Sequence, residues 1–188
     1  MLLPSIVCLK FMLIPQARES TCLAAAACIA HCPFSFTLHM HRAFSTNAPV
    51  RTRIFKFDAT FIHVHALVTG FAWSMKYQFA EIIYHGGCIL HIITSDPLNH
   101  PKVKNTIDIM AGLGVVKSSF GLIFRSIPLW ISAIFFWVTL FTIHDKKLAG
   151  AHSAWIMHVM LALPQYCMLD ALQNYDPTWA LPGSLPMM

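Results

Sequence analysis

The sequence predicts an all-α fold, an integral membrane helical bundle of three to four transmembrane helices, on three observations. The 188 residues are 56% hydrophobic and only 11% charged, and their mean hydropathy is +0.59. Soluble domains carry about 25% charged residues, so this chain has too little charge to cover a soluble surface. Its apolar stretches reach the roughly 20 residues that one span requires, and short polar or proline-containing segments separate them. The same composition excludes a disordered chain.

The basic residues indicate a membrane rather than a nucleic acid as the partner. The formal net charge is +5 and the pI is near 9.0. Nucleic-acid-binding proteins gather Lys and Arg on one face, whereas here they stand at the ends of apolar stretches, as membrane proteins place them in loops on the non-translocated side. These are Arg51, Arg53, Lys56, Lys102, Lys104, Lys146 and Lys147. The sequence therefore predicts lipid contacts and no nucleic-acid partner.

Residues 1–44 are expected to form a separate unit, a mitochondrial presequence, ahead of a transmembrane helical domain over residues 45–188. Glu19 is the one acidic residue before position 45, and four of the six cysteines lie in the first 32 residues. The segment ends in Arg42-Ala43-Phe44-Ser45, which resembles a mitochondrial processing site before Ser45. Transit peptides are likewise poor in acidic residues. The six cysteines have no repeated spacing, which argues against a disulfide-stabilised secreted module.

Two other interpretations of the first 44 residues remain open. Ile6–Ile14 is a short apolar stretch of the kind found in secretory signals, and Thr21–Leu38 is long enough for a first membrane span. A secreted chain would not be expected to continue into several more spans. The presequence is therefore the prediction, and a retained first span is the alternative.

The next segment is expected to begin as an exposed arm and then to cross the membrane. Asn47–Phe57 is polar and basic, and Asp58 can cap the helix that follows it. Phe61–Thr94 contains 34 residues without proline, a length between that of one span and that of two. It forms either one long helix or two short spans that turn near Lys76. Pro97 and the residues after it end the helix.

Prolines divide the rest of the chain. Asn105–Ile143 is too long for one span and contains Pro128, which kinks or splits a helix. Leu148–Leu172 is expected to be a last span, interrupted at Pro164. Gln173–Met188 is rich in proline and is expected to lie on the surface.

His85 and Asp96 form the most specific pattern. Eleven residues of helix make about three turns of 1.5 Å rise per residue, which sets the two side chains on one face and roughly 16 Å apart. A histidine would then lie inside the membrane and an acid at its edge. Ionisable groups in a bilayer are functional candidates, and imidazole is a ligand of haem iron. Gly86 and Gly87 are expected to make room for a flat cofactor or a helix.

The stretch from His85-Gly86 to Thr94-Ser95-Asp96 resembles the membrane anchor subunits of succinate dehydrogenase, respiratory complex II. In that family the second span carries a haem-ligating histidine, and an aspartate follows eleven residues later. The resemblance covers Phe61–Phe124. The chain departs from the pattern at Pro97, where the family has tyrosine, and in continuing into another span beyond Ile143.

The resemblance implies a role for each matching residue. His85 would be an axial ligand of haem b iron, shared with a histidine of a second anchor subunit, and His91 would lie in the haem environment. Asp96 and Ser95 would help form a ubiquinone site near an iron–sulfur subunit. The chain would then be a non-catalytic, multi-pass subunit of the mitochondrial inner membrane that helps to pass electrons from succinate to quinone.

The residues alone leave other interpretations open. His85 could simply hydrogen-bond to a neighbouring helix, and Asp96 could belong to a turn before Pro97. His63 and His65 face different sides of a helix and are not expected to bind one metal together. The alternative function is a structural or accessory subunit of another inner-membrane complex, such as ATP synthase. A small transporter ranks last, because the chain lacks repeated halves.

The resemblance also requires a particular orientation. Asp96 must lie on the matrix side, and the following Lys102 and Lys104 favour that side. If Arg51–Lys56 lies there too, two crossings must fit within Phe61–Thr94. A single long helix over that range would carry Asp96 to the opposite side.

Overall fold

The computed structural model describes residues 2–74, 79–97, 100–118 and 127–174, and these residues form helices and turns without a strand. The predicted all-α class is confirmed. Eight α-helices and one 3-10 turn, at Gly150–His152, lie within the described ranges. The helices are α1 (Leu2–Met12), α2 (Glu19–Phe44), α3 (Ala48–Ser74), α4 (Phe79–Thr94), α5 (Pro101–Ser118), α6 (Ile127–Asp145), α7 (Ser153–Met160) and α8 (Ala162–Asn174).

Helix α2 is the one described helix that is long and apolar enough to cross a membrane, by length and composition. It contains the whole of Thr21–Leu38, the alternative first span. The other apolar helices are shorter, at 10–17 residues, and include α4 and Trp130–His144. The number of spans beyond α2 therefore stays a prediction.

Within residues 2–44, α1 and α2 pack into the main hydrophobic core. Cys8 of α1 and Cys28 of α2 are buried there with Trp73 of α3, Trp137 of α6 and Leu169 of α8. The alanine-rich first half of α2 suits a helix and allows close packing. The cleavage of this segment stays a prediction. In the structure, the segment forms part of the helical bundle.

Helix α3 begins eleven residues earlier than the sequence suggested. The side chain of Asn47 accepts a hydrogen bond from the backbone N–H of Val50 at 3.2 Å, and so caps the helix. The expected exposed arm, Asn47–Phe57, is instead mostly helical, and the expectation that Asp58 caps a helix was wrong. Asp58 lies inside α3 and is buried, because its carboxylate pairs with His31 of α2.

Phe61–Thr94 contains the end of α3 and the whole of α4, which form an antiparallel hairpin rather than one long helix. The Lys56 ammonium donates to the backbone carbonyl of Ile93 at 2.8 Å, and His63 contacts His85 farther along. The predicted turn at Lys76 lies outside the described residues. Because the two helices run in opposite directions, Asp96 returns to the end that carries the basic residues Arg51–Lys56.

Several prolines lie within the first three residues of helices, whereas Pro33 lies inside α2. Pro101 is the first residue of α5, Pro128 the second of α6 and Pro164 the third of α8. Proline has no backbone N–H, and the first turn of a helix does not need one. The division expected at Pro164 therefore coincides with a helix boundary, whereas residues 119–126, directly before Ile127 and Pro128, lie outside the described ranges. Of the expected surface segment, residues 175–188 lie outside the described ranges.

Candidate functional site

His85 lies in the middle of α4 and is fully buried, with 0% of its surface exposed. Its Nδ1 atom is 3.1 Å from Nδ1 of His63, which is also fully buried and projects from α3. Such a contact requires one imidazole to donate and the other to accept. The two histidines therefore join α3 to α4 in the interior of the bundle.

A carboxylate on the same helix extends this pair to a third helix. Glu81, one turn before His85, places Oε2 3.4 Å from His85 Nε2 and Oε1 2.8 Å from the Lys117 ammonium of α5. The Tyr84 hydroxyl donates to the carbonyl of Met110 in α5 at 3.2 Å. We call His63, Glu81, His85 and Lys117 the interhelical network. It connects α3, α4 and α5.

A glycine of α5 lies close to this network. A Cβ atom built on Gly114 of α5 would lie 3.2 Å from His85 Cε1 and 3.3 Å from His63 Nδ1. Gly86 and Gly87, which were expected to make the room, have no neighbour within 4 Å of such an atom. They follow His85 by about 100° and 200° around the helix and so face elsewhere.

The donor chemistry of His85 fits haem iron, since imidazole is an axial ligand in many haem proteins. The space around His85, however, leaves no room for a haem group. Nδ1 faces His63, Nε2 faces Glu81, and no surface of the residue is open. Across the ranges described, no group of three or more His, Cys, Asp or Glu side chains is arranged to hold a metal ion. No step through haem follows from this arrangement.

The predicted quinone-site residues lie together at the end of α4, apart from His85. Asp96 is exposed just after the helix. The Ser95 hydroxyl donates to the carbonyl of His91, and its oxygen is 3.3 Å from His91 Nδ1. This group is therefore accessible, whereas His85 is enclosed three turns away.

A second polar group was missed because two of its histidines, His31 and His39, fall in the segment interpreted as a presequence. His31 Nε2 and Asp58 Oδ1 are 2.9 Å apart, and the His65 ring lies 6.3 Å from that of His31. Two turns along α2, the rings of His39 and His158 are 4.2 Å apart in an edge-on contact. The eight-residue spacing of His31 and His39 puts both on one face of a helix and could have revealed them.

Comparison of the chain with protein-family models, with curated proteins and with solved structures gave no match in any of the three.

Proposed function

We propose that this chain is a multi-pass membrane anchor subunit of succinate dehydrogenase in the mitochondrial inner membrane. In this role it would help to bind ubiquinone together with a second anchor subunit and an iron–sulfur subunit, and it would bind haem b only if His85 gave up its contact with His63 or Glu81. The observation that carries the proposal is the α3–α4 hairpin. It brings the exposed Asp96 to the same end as Arg51–Lys56, with His85 buried about three turns away.

The hairpin supports the proposal through charge. Cationic loops stay on the non-translocated side of a membrane, so the basic start of α3 and the segment with Lys102 and Lys104 would both face the matrix. Asp96 and Ser95 would then lie on the side where the resemblance requires the iron–sulfur subunit. A carboxylate and a hydroxyl that solvent can reach are suitable groups for contacting a quinone head.

Co-purification tests the proposal directly. The full-length tagged chain is isolated from mitochondria in a mild detergent, with an unrelated tagged inner-membrane protein as the control. We expect it to bring down a flavoprotein and an iron–sulfur protein together with succinate–quinone reductase activity. Recovery of the chain in a different intact complex, without that activity, would contradict membership of complex II.

The haem assignment stays a prediction with its own test. His85 must release Glu81 or His63 before a nitrogen could face iron. A reduced-minus-oxidised spectrum, normalised to the amount of complex, is compared for His85→Ala and for His100→Ala, a change at an exposed histidine before α5. Loss of a b-type signal in the first variant alone supports the assignment. An equal signal in both removes His85 as a ligand.

The alternative, a structural subunit of another inner-membrane complex, is favoured by one observation. Each member of the interhelical network contacts another member, and the contacts join three helices. Polar side chains of this kind fasten helices in membranes. Under this alternative, changing His85 lowers stability and leaves the spectrum unaltered, and the co-purifying proteins belong to another assembly.

A further inference from the structure

The ends of α2 and α6 and the starts of α3 and α5 meet at one end of the bundle. Three residues join α2 to α3. Arg42, in the last turn of α2, interacts electrostatically with Arg51 of α3 and with Asp108 of α5. His144, in the last turn of α6, interacts in the same way with His39 of α2. Side chains from these four helices therefore share one surface.

This surface carries most of the positive charge of the chain. Eight of the thirteen basic residues lie in or next to these four helix ends, with four of the eight acidic residues, Asp58, Asp96, Asp108 and Asp145. It therefore holds four of the five formal positive charges of the chain. We call the eight basic residues the basic end: Arg42, Arg51, Arg53, Lys56, Lys102, Lys104, Lys146 and Lys147.

The arginines of the basic end are not neutralised within the described part of the chain. The Lys104 ammonium pairs with Asp108. None of the guanidinium groups of Arg42, Arg51 and Arg53 forms such a pair with a described carboxylate. Arg42 and Arg53 are exposed, and Arg51 is half-buried. All three can therefore be approached by an anion from outside the chain.

Two helix dipoles add to the positive potential. The N-terminus of a helix carries a partial positive charge, which acidic side chains in the first turn usually offset. The first turns of α3 and α5 contain no acidic residue, and they contain Arg51, Lys102 and Lys104 instead. Cations at these positions are unfavourable unless an anion lies nearby. The electrostatics of the chain therefore call for negative groups at the basic end.

Exposed apolar side chains at the same end identify the kind of anion. Phe44, at the end of the candidate span α2, is 80% exposed, and Phe57 of α3 is 57% exposed. Val50 and Arg53 lie three and four residues apart from each other and from Phe57, so the three share one face of α3. A free phosphate offers nothing to these apolar groups. A phospholipid has both a phosphate and hydrocarbon chains.

We propose that the basic end binds the headgroups of anionic phospholipids. Their phosphate groups lie against Arg42, Arg51 and Arg53, and their acyl chains lie along Phe44 and Phe57. Clusters of Lys and Arg next to a membrane span attract anionic lipids in this way. The proposal requires α2 to span a membrane, and it does not require membership of complex II.

The inference is tested with the full-length chain in phosphatidylcholine vesicles that contain a trace of spin-labelled lipid. Electron paramagnetic resonance measures the fraction of label held at the protein surface, for labelled phosphatidylglycerol and for labelled phosphatidylcholine. We expect phosphatidylglycerol to associate about threefold more strongly or better, because its headgroup is anionic. Equal association of the two lipids overturns the inference.

A second arm distinguishes a lipid from a free anion. The measurement is repeated with inorganic phosphate in excess, against chloride at the same ionic strength. We expect the preference for phosphatidylglycerol to be the same in both salts. Loss of the preference in phosphate alone would mean that the arginines take a free anion, which contradicts a lipid site.

Matched variants locate the site. Arg51→Gln combined with Arg53→Gln should lower the preference for phosphatidylglycerol by about half or more, whereas lysine at both positions should keep it, because the charge is retained. Lys10→Gln combined with Arg18→Gln removes the same charge outside the basic end and should leave the preference unchanged. An equal loss in both glutamine variants, or none in either, contradicts the assignment. Co-purification with complex II affects none of these results, so the two proposals fail independently.

Discussion

At the scale of single residues, the most consequential position is a glycine. Gly114 allows α5 to approach two buried imidazoles, whereas Gly112, two residues earlier, has open space where a side chain would be. Both glycines lie in α5, yet a side chain at Gly114 would meet the two imidazoles and one at Gly112 would meet nothing. Local sequence gives no reason to rank one above the other, because the difference depends on what the neighbouring helices place there.

Replacing each glycine by valine separates packing from helix propensity. Both changes introduce the same side chain into α5, so their difference reflects the surroundings. We expect Gly114→Val to lower the free energy of unfolding by about 1–3 kcal/mol more than Gly112→Val, the usual cost of overpacking. Thermal unfolding in detergent, followed by circular dichroism, measures this. Equal midpoints for the two variants would mean that α5 does not pack against His63 and His85.

At the scale of elements, the α3–α4 hairpin is held by a contact between two histidines of identical chemistry. His63 and His85 are 22 positions apart and meet only because the helices are antiparallel. From its length, Phe61–Thr94 was expected to form either one long helix or two short spans. It did not indicate that His63, set aside with His65 as a metal pair, would be the partner of His85.

A double-mutant cycle measures the coupling of these residues. The variants His63→Ala, His85→Ala and the double variant are compared with the unaltered chain by thermal unfolding. Polar pairs between membrane helices contribute about 0.6 kcal/mol on average and at most about 1.7. We expect a coupling free energy in that range. A matched cycle on His63 and the exposed His100 should give zero. Strictly additive effects of His63 and His85 would contradict a direct contact.

At the scale of the whole molecule, the direction of the hairpin gives a topology prediction. The start of α3 and the segment before α5 should lie on the same side of the membrane. Single epitope tags inserted at Asn47 or at His100, both exposed, report sidedness by protease access in mitoplasts and in inverted vesicles. We expect both tags to be cut from the matrix side. Cleavage of the two tags from opposite sides would contradict the hairpin arrangement.

The packing of α1 and α2 leads to a second prediction for the whole molecule. Removal of residues 1–44 would uncover Trp73, Trp137 and Leu169, which are buried against these helices. The packing favours the alternative in which Thr21–Leu38 is a retained first span. We therefore expect the intact mass of the mature protein to include residues before Ser45. A mass that begins at Ser45 would confirm the presequence prediction.

The sequence by itself determined the helical class, because its composition and apolar lengths admit little else, and it located the division at Pro164. It also identified His85 as buried and Asp96 as the end of that helix. Only the tertiary structure decided that His85 faces His63 and Glu81 within the chain. The same holds for the contribution of α1 and α2 to the core. These depend on helix direction and on contacts between residues far apart in the chain, which periodicity along one helix does not encode.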